Sequence, residues 1–150
     1  MPFVMTNTLG AVVGLLLMGV PSALASPMHS TSVQTGRLDP RISAAVPQRY
    51  ASVLDAKDWQ NPFLVIRRDG IEIVAKQLPS GRKLVVAADL ERTLIGLPVT
   101  SWPYGRVAAV VENGVRAAGG SDDKPIADNL TAALATLRKL DVAANRWPSA

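Results

Sequence analysis

Residues 63–75 constrain the fold most, because two apolar, β-branched runs flank an Asp-Gly pair there. Asp69 and Gly70 are the strongest short-range hairpin signal, since a type I′ turn needs positive φ at both of its central residues. A two-residue turn predicts that Ile66 lies opposite Ile73. A lone hairpin is marginally stable in water, so this one predicts a larger sheet.

Alternation of side chains along the two strands predicts that the hairpin has two different faces. One face is wholly apolar and is expected to lie in the core: Leu64, Ile66, Ile71, Ile73 and Ala75. The other face is mixed: Phe63, Val65, Arg67, Glu72 and Val74. Arg67 and Glu72 on this mixed face are expected to form a cross-strand ion pair.

Helical and extended patterns alternate after the hairpin. Residues 88–98 have helical spacing with Asp89 as the expected N-cap, and a second helix begins near Pro125 with a leucine-rich stripe. Residues 106–117 fit either a helix or a strand by periodicity, and their valines favour a strand. A short strand at residues 141–147 ends the order ββαβαβ. This order predicts a small two-layer α/β sandwich, one mixed sheet covered by two amphipathic helices.

The chain divides into three parts by composition. Residues 1–25 contain an uncharged apolar run and the small-x-small pattern Ala-Leu-Ala, typical of a cleaved export signal. An uncleaved membrane anchor is the alternative, although the apolar run is shorter than the ~20 residues that span a bilayer. Residues 26–47 are polar and proline-interrupted and are interpreted as a disordered linker. Residues 48–150 form the predicted single domain, which would be secreted or periplasmic, with no transmembrane span in the mature chain.

Composition excludes several kinds of chemistry. The chain has no cysteine and one histidine, His29, so thiolate catalysis and cysteine or histidine metal sites are not expected in the domain. Asp122 and Asp123 precede a helix, and this position explains them better than a metal site. The sequence contains no nucleotide-binding glycine motif, and no cofactor is predicted. The net charge is +4 but the basic residues are scattered among acids, so nucleic acid is not an expected partner.

The candidate binding residues are aromatic side chains near prolines, together with polar neighbours: Trp59, Asn61, Trp102, Tyr104 and Arg106. Flat apolar rings beside hydrogen-bond donors suit an envelope glycan or a partner protein. The alternative is a purely structural role, in which the tryptophans close the ends of a small core. We therefore expect a non-catalytic binding or structural role, and no catalytic residue is singled out. An enzyme that works through carboxylates such as Asp58, Asp89 or Glu112 is the alternative.

The order of elements also resembles the periplasmic domains of the ExbD/TolR family. The residues that carry the resemblance are the Asp-Gly hairpin, Asp89 and Leu90 at the start of a helix, and the Pro-Tyr-Gly-Arg-Val segment at residues 103–107. In that family a similar Tyr-Gly segment opens a helix, which implies a helix at residues 106–118. The family's membrane-embedded aspartate has no counterpart, because residues 1–25 contain no acid.

Overall fold

The β-branched runs form strands and the leucine-rich stripes form helices, as the periodicity requires. The computed structural model describes residues 36–113 and 124–148. Its strands and helices are β1 (Phe63–Ile66), β2 (Ile71–Val74), β3 (Arg82–Val85), α1 (Ala87–Ile95), β4 (Val107–Glu112), α2 (Lys124–Lys139) and β5 (Ala143–Arg146). The predicted signal segment, residues 1–25, lies outside the described residues.

The strands form one mixed sheet in the order β3-β2-β1-β4-β5. The pairs β1–β2 and β2–β3 are antiparallel, whereas β1–β4 and β4–β5 are parallel. This arrangement confirms the predicted α/β two-layer fold with a single mixed sheet and two helices. β3 is an additional strand between the hairpin and α1.

The hairpin has the predicted faces but a different register. Ile66 pairs with Ile71, and the Arg67 N–H donates to the Gly70 carbonyl at 2.9 Å, so the turn is centred on Arg68 and Asp69 instead of Asp69 and Gly70. Asp69 does not have positive φ, and the predicted type I′ turn is therefore wrong. Neighbouring elements contact the shifted turn: the Asn129 side chain of α2 donates to the Arg67 carbonyl at 2.8 Å, and Gly70 lies against β3. A shift of two residues preserves alternation, so the same side chains face the core.

One face of the sheet is covered by both helices, and we call the apolar interior there the helix-side core. Its fully buried members include the predicted hairpin residues Leu64, Ile66, Ile71 and Ile73, together with Leu90, Leu94 and Leu137 from the helices. β2 alternates between this core and the opposite face, which we call the open face. The amphipathic helices therefore bury only one side of the sheet.

The local predictions for β4 and α1 had different outcomes. Val107–Glu112 is a strand, so the valine-based prediction is confirmed for those residues, and the helix implied by the ExbD/TolR resemblance is wrong there. In α1 the expected cap is also wrong, because Val86 occupies the N-cap position without a side-chain bond. Asp89 lies within the first turn and instead accepts a hydrogen bond from Arg92 at 2.6 Å. Asp122 and Asp123, expected before α2, lie outside the described residues.

Residues from the predicted linker take part in the fold. Leu38 and Ile42 are buried in the helix-side core, and the backbone of Ala44 forms a parallel bridge with Arg106. The packed part of the chain thus begins at least ten residues before residue 48. In the two described ranges, no helix is long and apolar enough to cross a membrane.

Candidate functional site

The aromatic residues proposed as a binding patch are buried. Trp59, Trp102 and Tyr104 retain only 5%, 4% and 8% of their accessible surface. The burial of Trp102 agrees with the alternative in which the tryptophans close the core, because a binding residue would be at least partly exposed. The short 3-10 turn Val99–Ser101 leads the chain from α1 into the sheet, and Trp102 after it fills the helix-side core.

Five of the aromatic residues that the structure describes meet on the open face, in what we call the aromatic cluster: Tyr50, Trp59, Phe63, Tyr104 and Trp147. Their rings contact one another edge-on or tilted, with Trp59 5.2 Å from Tyr104 and 5.8 Å from Trp147 between centroids. Such geometry is favourable for aromatic pairs. The cluster covers the end of the open face where β1 begins, so these rings serve as a lid on the sheet.

Asn61 holds this lid to the sheet. Its side-chain amide donates to the carbonyl oxygens of Gly105 and Val107, each at 2.7 Å, and its oxygen accepts from the Tyr104 backbone N–H at 2.9 Å. These three bonds use most of the hydrogen-bonding capacity of the amide. Asn61 is 2% exposed, and these bonds give it a structural role, while its role in binding stays a prediction.

Gly105 explains why the loop before β4 is compact. It has φ of +80°, and a Cβ there would lie 2.2 Å from the carbonyl oxygen of Ala44. The close approach is made to the chain's own segment at residues 43–44. Arg106, which follows it, donates to Asp141 at 2.7 Å beyond the end of α2. The five predicted binding residues thus do not form one exposed patch.

A cavity of about 450 Å³ lies on the open face beside the aromatic cluster, and we call it the open-face cleft. Its floor contains Phe63, Val65 and Val74 from β1 and β2, and Trp59 closes one side. The cleft exists because the helices cover the opposite face and the aromatic cluster covers only one end of this one. Sequence alternation signalled the mixed face, but it gave no sign of which side chains from outside the hairpin join it.

The walls of the cleft carry more positive than negative charge. Lys57, Arg67, Lys76 and Arg82 line it, and its one acidic side chain is Glu72. The Glu72 side chain is only 11% exposed, so its carboxylate has lost most of its contact with water. A nearby cation is needed to compensate for this lost hydration. That cation is chiefly Arg67, which donates at 2.5 Å, as the sequence predicted.

The four cations are not neutralised equally. Arg82 lies 3.5 Å from the second oxygen of Glu72, whereas Lys57 and Lys76 form no ion pair with any residue in the described ranges. The Nε of Arg67 is buried and also has no hydrogen-bond partner there. The cleft therefore combines an apolar floor with uncompensated positive charge, which favours an anionic ligand.

The carboxylates of the enzymatic alternative are not brought together in this cleft. Asp89 lies on α1, Glu112 at the end of β4 pairs with Arg146 at 2.6 Å, and Asp58 precedes β1. None of the three lines the open-face cleft. Within residues 36–113 and 124–148 no three metal-ligating side chains form a group either. General acid–base work by a carboxylate pair has no geometric support in the cleft.

Comparison with known proteins gives no match to a protein family, to a curated protein or to a solved structure.

Proposed function

We propose that this protein is an exported domain that binds a ligand without catalysing a reaction, and that the open-face cleft is the binding site. The observation that carries the proposal is the uncompensated positive charge above the apolar floor formed by Phe63, Val65 and Val74. A volume of about 450 Å³ falls in the usual range of small-molecule sites, and such sites are mostly apolar with a few placed polar groups.

Export is part of this proposal and rests on the apolar run and the Ala-Leu-Ala pattern within residues 1–25. Expression of the full chain in an exporting bacterial host tests it. We expect the released protein to have the intact mass of a chain that begins at Ser26. Retention of residues 1–25 in a membrane fraction would instead support the anchor alternative.

The burial of the aromatic residues favours one ligand class over another in this proposal. Stacking of a sugar requires an exposed ring face, and Trp59 and Tyr104 have their rings turned into the aromatic cluster. A glycan therefore has little to stack on at the residues first proposed. A small anion with an apolar body matches the cleft better, because the floor is apolar and the walls are basic.

The dye 8-anilinonaphthalene-1-sulfonate tests the site, since it is an aromatic anion whose fluorescence rises in an apolar environment. We expect the folded full chain to bind it and Val74→Asp to weaken binding by at least about tenfold, because a carboxylate on the floor repels the sulfonate. Val86→Asp is the matched control: it makes the same exchange at an exposed valine after β3 that does not line the cleft.

Val65→Thr is a second floor variant that keeps the side-chain shape if Val74→Asp fails to fold. Thermal melts establish that each variant is folded before dye is added. Equal dye binding by the wild-type chain and both folded floor variants, or no dye binding by the wild-type chain, would contradict the proposal.

A further inference from the structure

The charges in the open-face cleft are distributed unevenly along it. Strand register places Phe63, Val74 and Arg82 in one row across the sheet, and Val65, Glu72 and Leu84 in the next. Lys76 follows the first row along the chain from β2, and Lys57 precedes β1 in the segment that carries Trp59. The unpaired lysines therefore belong to the end of the cleft beside the aromatic cluster.

The other end of the cleft is electrostatically occupied. Glu72 lies in the middle of the sheet face and is bonded to Arg67, which marks the far end of the floor. An anionic group placed there would have to displace the Glu72 carboxylate from Arg67 or lie directly against that carboxylate. Two negative charges in contact repel each other. At the lysine end neither Lys57 nor Lys76 forms an ion pair with a described carboxylate, although the Asp55 carboxylate accepts a hydrogen bond from the Lys57 backbone N–H at 2.8 Å.

The size of the floor limits the apolar part of the ligand. From Phe63 to Arg67 the strand advances by four residues, which is about 13 Å at the usual rise of a strand. The floor is lined by the side chains of Phe63, Val65 and Val74, while the uncharged polar lining residues Gln60, Asn61 and Asn113 lie outside these two strands. A linear hydrocarbon chain fits such a strip, and its burial supplies binding energy in proportion to length.

We infer that the open-face cleft binds a small amphiphilic anion, a carboxylate on a medium-length aliphatic chain, with the carboxylate between Lys57 and Lys76. The inference rests on the proposed function, because it names the ligand class of the same site. The chain lies over Phe63, Val74 and Val65 and points towards Arg67. Glu72 sets the orientation, because its charge excludes the carboxylate from the middle of the floor.

Isothermal titration of the full chain with decanoate tests the inference, with butanoate and decylammonium as comparison ligands. We expect decanoate to bind at least about tenfold more tightly than either, because butanoate lacks most of the chain and decylammonium has the wrong charge. Equal binding of decanoate and decylammonium would overturn the inference.

Lysine variants distinguish a specific site for the carboxylate from attraction by the overall positive charge of the protein. The double variant Lys57→Gln with Lys76→Gln is expected to weaken decanoate binding about five- to tenfold at low salt, and less at high salt. Lys83→Gln is the control for loss of a lysine charge elsewhere, since Lys83 on β3 pairs with Ile73 on β2 and so lies on the opposite side of the sheet. An equal loss in the control would overturn the inference.

Glu72→Gln gives an independent prediction of opposite sign. Removal of the central carboxylate frees Arg67 and Arg82 for the ligand, so decanoate binding is expected to tighten about threefold or more. Weaker or unchanged binding by folded Glu72→Gln would contradict the assigned orientation.

The same amphiphile could be presented by a membrane, so sedimentation with vesicles of phosphatidylglycerol or phosphatidylcholine distinguishes the source. We expect free decanoate to bind without vesicles, and binding to the anionic vesicles alone would overturn a site for a free ligand. Dye binding at the floor without any binding of decanoate would refute this inference and leave the proposed function intact. Dye binding insensitive to the floor variants would refute the proposed function itself.

Discussion

The two faces of the sheet are closed by different means. The helix-side core is continuous and aliphatic except for Trp102, and every central strand contributes side chains that are fully buried there. The open face is covered at one end by five aromatic rings and leaves a charged cleft beside them. Non-directional burial therefore suffices for the first face, whereas the second depends on a few directional contacts.

This difference separates stability from binding within one small sheet. Asn61 and Gly105 fix the edge of the aromatic cluster, and the cleft begins where that cluster ends. A cleft bounded by rigid strands and a bonded loop is preorganised, so little ordering cost falls on ligand binding. The comparison predicts that substitutions on the two faces have different consequences.

The largest effect is expected at Trp102 in the helix-side core. Trp102→Ala leaves a large cavity and should lower the free energy of unfolding by ~3–5 kcal/mol. Trp147→Ala is the matched exchange on the open face, where the ring is only half-buried, and should cost clearly less. Urea unfolding curves measure both. Equal losses of unfolding free energy would show that the two faces contribute equally to stability, which would contradict the expected difference between them.

A second, smaller effect is expected at Asn61. Asn61→Ala leaves the Val107 carbonyl oxygen and the Tyr104 N–H without the Asn61 side chain, and the Gly105 carbonyl keeps only its bond from the Val107 N–H. These losses should cost ~2–4 kcal/mol of unfolding free energy. Asn61→Asp should be at least as destabilising, because its oxygens face the carbonyls of Gly105 and Val107. Asn113→Ala, at an exposed asparagine, serves as the control. A denaturation midpoint unchanged in Asn61→Ala would show that the directional contacts do not hold the aromatic cluster.

Two glycines with positive φ separate two effects of adding a Cβ atom: a clash with a neighbouring atom and strain of the backbone. Gly105→Ala brings a Cβ to 2.2 Å from the Ala44 carbonyl oxygen, whereas at Gly81, with φ of +71°, the same atom meets nothing within 4 Å. We expect a loss of ~2–3 kcal/mol for Gly105→Ala and about 1 kcal/mol for Gly81→Ala. Similar losses at both sites, measured by thermal melts, would mean that strain alone operates.

The helix-side core was more predictable from sequence than the open face. Alternation in the hairpin named Leu64, Ile66, Ile71 and Ile73 correctly even though the register was shifted by two residues, because such a shift preserves the faces. The Arg67–Glu72 ion pair was predictable for the same reason. The shifted turn is contacted by Asn129, which is distant in sequence.

The candidate site could not be predicted because its parts come from separate segments. Lys57, Lys76 and Arg82 carry no local pattern that indicates a shared cavity. Strand pairing places Arg82 beside Val74, and the segments before β1 and after β2 bring Lys57 and Lys76 to the same cavity. The aromatic residues near prolines, by contrast, gave a local pattern that indicates an exposed binding patch, which the structure does not have. Their residue types suit binding surfaces, but burial against Asn61 and the sheet gives them a structural role.

The smallest expected effect concerns the segment that passes from the helix-side core to the open face. Asp39 lies between buried Leu38 and Ile42, and its carboxylate accepts hydrogen bonds from the Arg41 guanidinium, at 2.7–3.2 Å, and from the Arg41 backbone N–H at 2.9 Å. These bonds lower the pKa of Asp39 from 3.8 to about 2. Because the folded pKa is depressed, the stabilisation is present above the unfolded pKa and is lost as pH falls through the folded one.

Asp39→Asn removes this titration while keeping the side-chain shape, so the wild-type chain and the variant differ only by the charged interaction. We expect a small advantage of the wild-type chain in thermal midpoint at pH 5, and its disappearance as the pH approaches 2. Other carboxylates titrate in both proteins and cancel in the difference. A difference that stays constant between pH 5 and pH 2 would show that the Asp39–Arg41 pair does not help to fasten this segment. The attachment of the segment would then rest on burial of Leu38 and Ile42 alone, as in the rest of the helix-side core.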